Sequence, residues 1–446
     1  MEIVDRAARS AKAFALRTNA FALRTNAFAL LLGVATAASA QPPAAPSPVT
    51  FTKDVAPIFQ KSCQNCHRPG SIAPMSLITY EDARPWARSI KQRVEARQMP
   101  PWHVDRSVGI RQFKDDPSLT DQEIATLSAW AGAGAPRGNP ADMPPPRQFD
   151  DADRWHIGKP DLIVAMPKVF TVKTEAADWW GIFEAASGLT EDRYIKAVEA
   201  KPSPGARRVV HHSVETLVYD DGSSGGGTLV EYAVGKNGDV FPEGSGKLMK
   251  AGAKVRFNMH YHAIGEPVTD RTEVGIVFYP KGVVPTHVVT TILSPNQDDL
   301  DIPAGADNVR SDAYYKIDKP SHLVGFMPHM HNRGKRQCLE AIYPDMKVEQ
   351  LNCVNYDFNW QIVYNYADEV APLLPAGTIM HVISWHDNSA ANKYNPDPRN
   401  WVGFGNRTTD DMSRHWLTFY PMSDDEFKAE VAGRNAIKAS RTAAQP

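Results

Sequence analysis

Residues 255–264 read VRFNMHYHAI. Val255, Phe257, Met259 and Tyr261 fall on one side of a period of two, and His260 and His262 on the other. That alternation belongs to a strand with one face in a core. H-x-H on a strand is how a sheet aims two imidazoles at one ion. The spacing returns in FMPHMHNRG (326–334), where His329 and His331 share a face. In RVVHHSV (208–214) the pattern breaks, because adjacent residues His211 and His212 should point to opposite faces. They reach one ion if one uses its near ring nitrogen, the other its far one, and the strand is twisted or bulged.

Working outward, SHLVGFMPHMH, TEVGIVFYP and GTIMHVISWHD continue the short alternating runs, separated by Gly, Pro, Asn and Asp. The 265 or so residues from Lys159 to Asp424 suffice for two β-sandwiches. The boundary falls near SPNQDDLDIPAG, giving 159–300 and 301–424. The tail at 425–446 reads as a helix.

The N-terminal region differs. Arg6, Arg9, Lys12, Arg17 and Arg24 precede AFALLLGVATAASA, which ends before Gln41. This is the charged, apolar and small-residue pattern of a secretory signal peptide at 1–40, with a retained anchor as the alternative. The apolar run is too short for a stable membrane span, so an exported protein, periplasmic or secreted, is expected. The repeated RTNAFAL lengthens the leader only. A formal net charge of −2 shows no basic excess for nucleic acid.

Residues 49–70 contain Cys63-x-x-Cys66-His67. C-x-x-C-H attaches c-type haem: Cys63 and Cys66 take thioether bonds and His67 ligates iron. Apolar spacing predicts helices in DVAPIFQKS, TYEDARPWARSIKQRVEAR and SLTDQEIATLSAWAGAGAP, the last with a Thr120/Glu123 capping box. The segment 49–136 resembles cytochrome c, which implies a methionine as second axial ligand. Met99, between a helix and two prolines, is favoured, with Met75 as the alternative. A Pro-rich linker follows at 137–158. The expected fold class is therefore multidomain: a small all-α cytochrome c domain followed by two antiparallel, jelly-roll-like β-sandwich domains.

The histidine pairs point to metal. Histidine suits zinc, copper, iron and nickel, and a thioether favours Cu(I). Met259, Met327, Met330 and Met412 lie near the motifs, most of them as core fillers. Copper is favoured. RVVHHSV, VRFNMHYHAIGEP, MPHMHNRGK and TTDDMSRHWLTFYP, with YDFNWQ at 356–361, occur in the order seen in the copper type II, ascorbate-dependent monooxygenases. Residues 160–424 resemble that family, which includes dopamine β-monooxygenase and the peptidylglycine α-hydroxylating enzyme.

The resemblance implies two coppers facing each other across a solvent-filled cleft. His211, His212 and His260 would hold the electron-supplying copper, and His329, His331 and Met412 the oxygen-binding one. His260 is chosen over His262 because it precedes a tyrosine. Met327 stands where the peptide-hydroxylating enzyme has an arginine, and Trp416 where it has a tyrosine, so glycine-extended peptides are not the expected substrate. Arg414 and Trp416 either shape a pocket for an aromatic or acidic substrate or simply pack.

The expected activity is hydroxylation of a C–H bond of a small organic substrate with O2. Electrons would pass through the haem from an external donor: ascorbate, a quinol or another cytochrome. The alternative is a non-catalytic exported haem/copper electron-transfer or copper-binding protein. Cys338 and Cys353 flank a hairpin turn at YPDMK and are expected to form a disulfide, two free thiols being the other reading.

Overall fold

Among the described residues the largest sheet has nine strands and carries the three strands of RVVHHSV, VRFNMHYHAI and FMPHMHNRG. The computed structural model describes residues 48–443, apart from 70, 72, 150–154, 176–177, 234–235 and 295–298. The expected signal peptide lies outside the described residues, as do positions 150–154 of the expected linker. From one edge the sheet runs Tyr364–Asn365, Ser321–His329, Arg414–Pro421, Thr290–Leu293, Ser224–Ala233, Val210–Val218, Lys254–Tyr261 and Trp179–Ala186, and the ninth strand, Leu373–Leu374, also pairs with Ser321–His329.

A second sheet, containing Leu162–Ala165, Glu273–Phe278, Arg193–Lys201 and Ser245–Met249, covers one half of it. Between them Val255, Phe257 and Met259 meet Ile195, Val198 and Ile276 in a buried core. A four-stranded sheet covers the other half, with Val309–Lys316, Ile379–His386, Gly334–Ile342 and Val348–Asn355. There Leu323, Phe326 and Leu417 pack on Leu339, Met380 and Val382. The alternation in VRFNMHYHAI is the cause: its apolar set enters a core, and a one-residue slip would expose it.

The helices are short. They are α1 (Ala56–Ser62), α2 (Tyr80–Ala83), α3 (Ala87–Glu95), α4 (Asp121–Gly132, with the Thr120/Glu123 capping box) and α5 (Asp424–Ala443). Pro85 falls between α2 and α3, where it lacks the N–H that a continuous helix needs. Phe51, Phe59, Leu127 and Trp130 gather α1 and α4 around a small core.

These elements correct the expected fold class. The described chain is mostly β-sheet, and among the described residues there is no sizeable all-α N-terminal domain. The physical reason lies between α3 and α4. Asp105 N–H donates to Cys353 O at 2.8 Å and Ile110 N–H to Leu351 O at 2.9 Å, so this stretch lines the edge of a β-sheet. Trp102 and Phe113 enter an aromatic cluster with Tyr364, Tyr366 and Phe326, and Asp105 pairs with Arg336 at 2.7 Å. The apolar residues that would close a helical domain are spent on the β-core.

The sandwiches are likewise not two separate antiparallel units. Thr290–Leu293 pairs antiparallel with Arg414–Pro421 and parallel with Ser224–Ala233, joining both halves into one sheet.

Cys338 and Cys353 are opposite one another and disulfide-bonded. The loop is longer than a two-residue turn, with Tyr343 N–H donating to Lys347 O, and a bulge at Leu339/Glu340 restores the pairing. No helix among the described residues is long and apolar enough to cross a membrane.

Candidate metal centre

The Val210–Val218 strand explains how adjacent histidines share a side. Its ladder with Lys254–Tyr261 pairs Val210 with Tyr261 and then His212 with His260, leaving His211 as the extra residue of a β-bulge. His211 Nδ1 lies 3.1 Å from His212 Nδ1 and 3.3 Å from His260 Nδ1. The three residues offer ligand atoms within 4.8 Å of one another. All the short contacts use Nδ1, so the bulge suffices without the near and far nitrogens expected from sequence.

His260 Nε2 is 3.1 Å from Asp178 Oδ2, and His262 Nδ1 is 2.8 Å from Asp178 Oδ1. Asp178 thereby fixes the tautomer of His260 and leaves its Nδ1 facing His211. His262, 63% exposed, is held outside the group. Burial opposes ionisation of Asp178, but hydrogen bonds from His260 and His262 hold its carboxyl well below the usual range. Trp180, opposite His260 in the neighbouring strand, stacks on its ring at 4.0 Å.

The second group is built at the end of the Ser321–His329 strand. His329 and His331 have ring centres 5.3 Å apart, and both line a cavity of about 930 Å³ together with Met412, His212 and His260. His329 Nδ1 donates to Gln361 Oε1 at 2.9 Å, and His331 Nδ1 lies 3.3 Å from Asp410 O. With each Nδ1 engaged by an oxygen, Nε2 is the nitrogen left to ligate. Gln361 is set in turn by the Tyr356 hydroxyl, which accepts from its Nε2 at 2.6 Å.

Asp411 ties the group together: its carboxylate accepts the backbone N–H of His331, Arg333 and Met412 at 3.0, 3.0 and 2.8 Å. Burial, then neighbouring imidazoles, push His211 and His329 down to about 3, and burial also lowers His212 and His331. Neutral imidazole is the ligating form, so the donor set suits a soft or borderline cation.

Around the cavity, Trp416 packs edge-on to His329 at 5.4 Å and its Nε1 donates to Thr228 Oγ1 at 3.1 Å. Arg414 Nη1 donates to Ser294 O at 3.2 Å. Ile292, Leu293 and Tyr315 add apolar wall. Met327 is buried and does not line the cavity.

Cys63, Cys66 and His67 follow the end of α1. His67 Nδ1 lies 3.2 Å from Met75 O, which leaves Nε2 free and suits an iron-ligating histidine. Met75 and Cys63 pack on the same small core. Met99 is not brought to this loop; it lines a cavity with Trp102 and His103 that excludes Cys63, Cys66 and His67.

Asp178, Gln361 and Asp411 were missed as functional residues by sequence reasoning. YDFNWQ and the DDM run preceding Met412 were the available signals for two of them. Nothing local marks Asp178, 82 residues from His260. If His211, His212 and His260 bind a metal, replacing Asp178 with alanine is expected to weaken that binding on the order of 10–100-fold, with asparagine keeping part of it. Chelator-competition titration measures this, and an unchanged affinity would assign Asp178 to His262 alone.

No family model matches the chain, and no curated protein matches it. Similar solved structures include infectious bursal disease virus Gx strain, at 11% identity over 62% of this chain and 75% of that one, TM-score 0.16. Paenibacillus xanthan lyase matches at 10% identity over 64% and 27%, TM-score 0.15. A Bacillus subtilis oxalate decarboxylase matches at 8% identity over 63% and 80%, TM-score 0.12. Similarity this slight bears on neither fold nor function.

Proposed function

We propose that this chain is an exported copper-dependent monooxygenase that hydroxylates a C–H bond of a small organic substrate with O2. The observation that carries the reading is the cavity on which His212, His260, His329, His331 and Met412 converge, with His211 in contact behind it. The order of motifs resembling the copper type II, ascorbate-dependent monooxygenases supports it.

Copper bound there supplies one-electron transfer and activation of O2. His211, His212 and His260 would hold one ion, and burial lowers the pKa of His211 and His212. His329 and His331 would hold the other, and Met412 would add a soft sulfur that favours the reduced state. Asp178, Gln361 and the Asp410 carbonyl orient the rings from behind. Trp416, Ile292 and Leu293 give the substrate an apolar wall beside the second group.

Cys63 and Cys66 would attach a c-type haem with His67 as one axial ligand, and the haem would relay electrons from ascorbate, a quinol or another cytochrome.

The test is metal content followed by turnover. Two coppers and one iron per chain are expected, with O2 uptake that requires both reductant and substrate. Met412→Ala and His260→Ala should each lower kcat on the order of 100-fold or more. A chain that retains no copper, or takes zinc in its place, would remove the oxygenase reading.

A further inference from the structure

A second cavity, of about 850 Å³, shares no lining residue with the histidine cavity. It lies where the chain between α3 and α4 runs along the edge of the four-stranded sheet. Its volume falls in the range of about 300–1,000 Å³ typical of small-molecule sites. One wall is apolar, with Val94, Met99, Leu119 and Ile124. The other presents Trp102, His103, Arg106 and Arg111. That division suits a molecule with a flat apolar body and a polar end.

The polar wall is rigid and rich in free donors. His103 O accepts the Asn355 N–H at 2.9 Å, and Asp105 N–H donates to Cys353 O at 2.8 Å. The Trp102 ring meets Tyr364 at 4.8 Å and Phe113 at 5.9 Å, both edge-on. Its body is committed to the aromatic cluster, but its Nε1–H has no acceptor among the described residues. An indole so packed ordinarily finds one. The His103 ring also makes no hydrogen bond among the described residues. Burial holds that imidazole below its ordinary value, although Asp357 pulls it up, and the neutral ring has one N–H to donate.

The charges do not balance. Arg97 pairs with Asp121, and Asp105 with Arg336 at 2.7 Å. Asp357 Oδ1 accepts from Asn359 N and Nδ2 at 3.0 and 2.8 Å, and no cation pairs with it among the described residues. Arg106 Nη1 and Nη2 donate to Leu119 O at 3.0 Å and Ser118 Oγ at 2.8 Å, so its charge meets no carboxylate. Arg111 has no hydrogen bond or ion pair among the described residues. Two guanidinium charges against one carboxylate leave the cavity cationic, and a guanidinium is the side chain best shaped to grip a carboxylate.

We propose that this cavity binds a carboxylate carried on a flat apolar body, with Arg111, Arg106 and the Trp102 indole N–H as its donors. Two sources have that chemistry. One is a propionate of the haem proposed at Cys63 and Cys66, since Val94 and Leu119 belong to the core on which Cys63 packs. The other is a separate aromatic organic acid. The site does not depend on the copper reading.

The test uses the full chain, with covalent haem counted first. Wild type is compared with Arg111→Gln, whose exposed side chain holds no other part of the fold. Benzoate is titrated by calorimetry, and the haem midpoint potential is measured. A separate acid as ligand predicts saturable benzoate binding that Arg111→Gln weakens about tenfold or more, with an unchanged midpoint. A haem propionate predicts no benzoate binding and a midpoint that falls in Arg111→Gln, because losing a cation favours ferric iron. Trp102→Phe, which keeps a ring in the cluster and removes the N–H, should move the same readout in the same direction by less. A chain without haem removes the haem reading alone and leaves the benzoate arm to decide the site. Benzoate binding that Arg111→Gln leaves intact, or neither benzoate binding nor a moved midpoint, would overturn the proposal.

Discussion

Asp411→Ala is expected to destabilise the protein by roughly 4 kcal/mol or more, because a buried charged acceptor of several hydrogen bonds leaves each donor unsatisfied when removed. Asp411 is fully buried, and its oxygens take three backbone N–H groups from two separate segments. It also faces His386, whose Nε2 is 3.5 Å away. Burial opposes the charge, but the His386 hydrogen bond and charge, and then His331, hold the carboxyl down at about 2. The folded value lies below the ordinary 3.8 of an aspartate, so this contribution is present above about pH 4 and is lost as pH falls towards 2.

On the proposed copper reading, the variant should also lose metal from His331 and Met412 before His211, His212 and His260 lose theirs, since Asp411 bonds the backbones of the former pair. Urea unfolding with copper counting reads both effects. A loss below about 1 kcal/mol would reduce Asp411 to an ordinary polar contact.

Glu215 should behave in the opposite sense. It lies on the strand that carries His211 and His212, but its side chain is 0% exposed. Neither oxygen has a hydrogen-bond partner of good geometry among the described residues. Burial pushes its carboxyl up to about 8 from 4.5. The native state therefore binds a proton that the unfolded chain releases above 4.5. Stability from this group is full below pH 4.5 and is lost as pH rises through 8.

The shift corresponds to about 5 kcal/mol at most, at 1.36 kcal/mol per pH unit. Glu215→Gln has nothing to ionise. It should match the wild type at pH 5 and exceed it by several kcal/mol at pH 9, roughly 3–5 by the same conversion. Urea midpoints of both proteins at the two pH values decide the matter, and parallel pH profiles would contradict it.

Much of the candidate site was legible because its chemistry is local. H-x-H with a period of two put His260, His262, His329 and His331 on the page from residue type and spacing, while Met412, and the choice of His260 over His262, came only from the family resemblance. The bulge at His211 was inferable only from the impossibility of two adjacent ligands on a regular strand. Its position and the Nδ1 geometry depended on the ladder register. Gln361 and Asp411 gained roles by folding back onto histidines 32 and 80 residues away.

The expected all-α domain failed for a related reason. Helix periodicity and the Thr120 capping box were correct locally, but nothing in residues 101–116 announced that they would line a sheet edge and fill a β-core. Sequence alone determined what is written in periods of two and in ligand chemistry: a β-rich chain and histidine pairs on its strands; that Cys338 and Cys353 face each other depended on the bulge at Leu339/Glu340. Only the tertiary structure decided that the histidine groups share one sheet, because the strand that joins them, Thr290–Leu293, is four residues long. Its pairing partners lie more than 60 residues before it and more than 120 after it. Strand pairing over such distances is chosen by packing of whole faces, a choice that no local pattern carries.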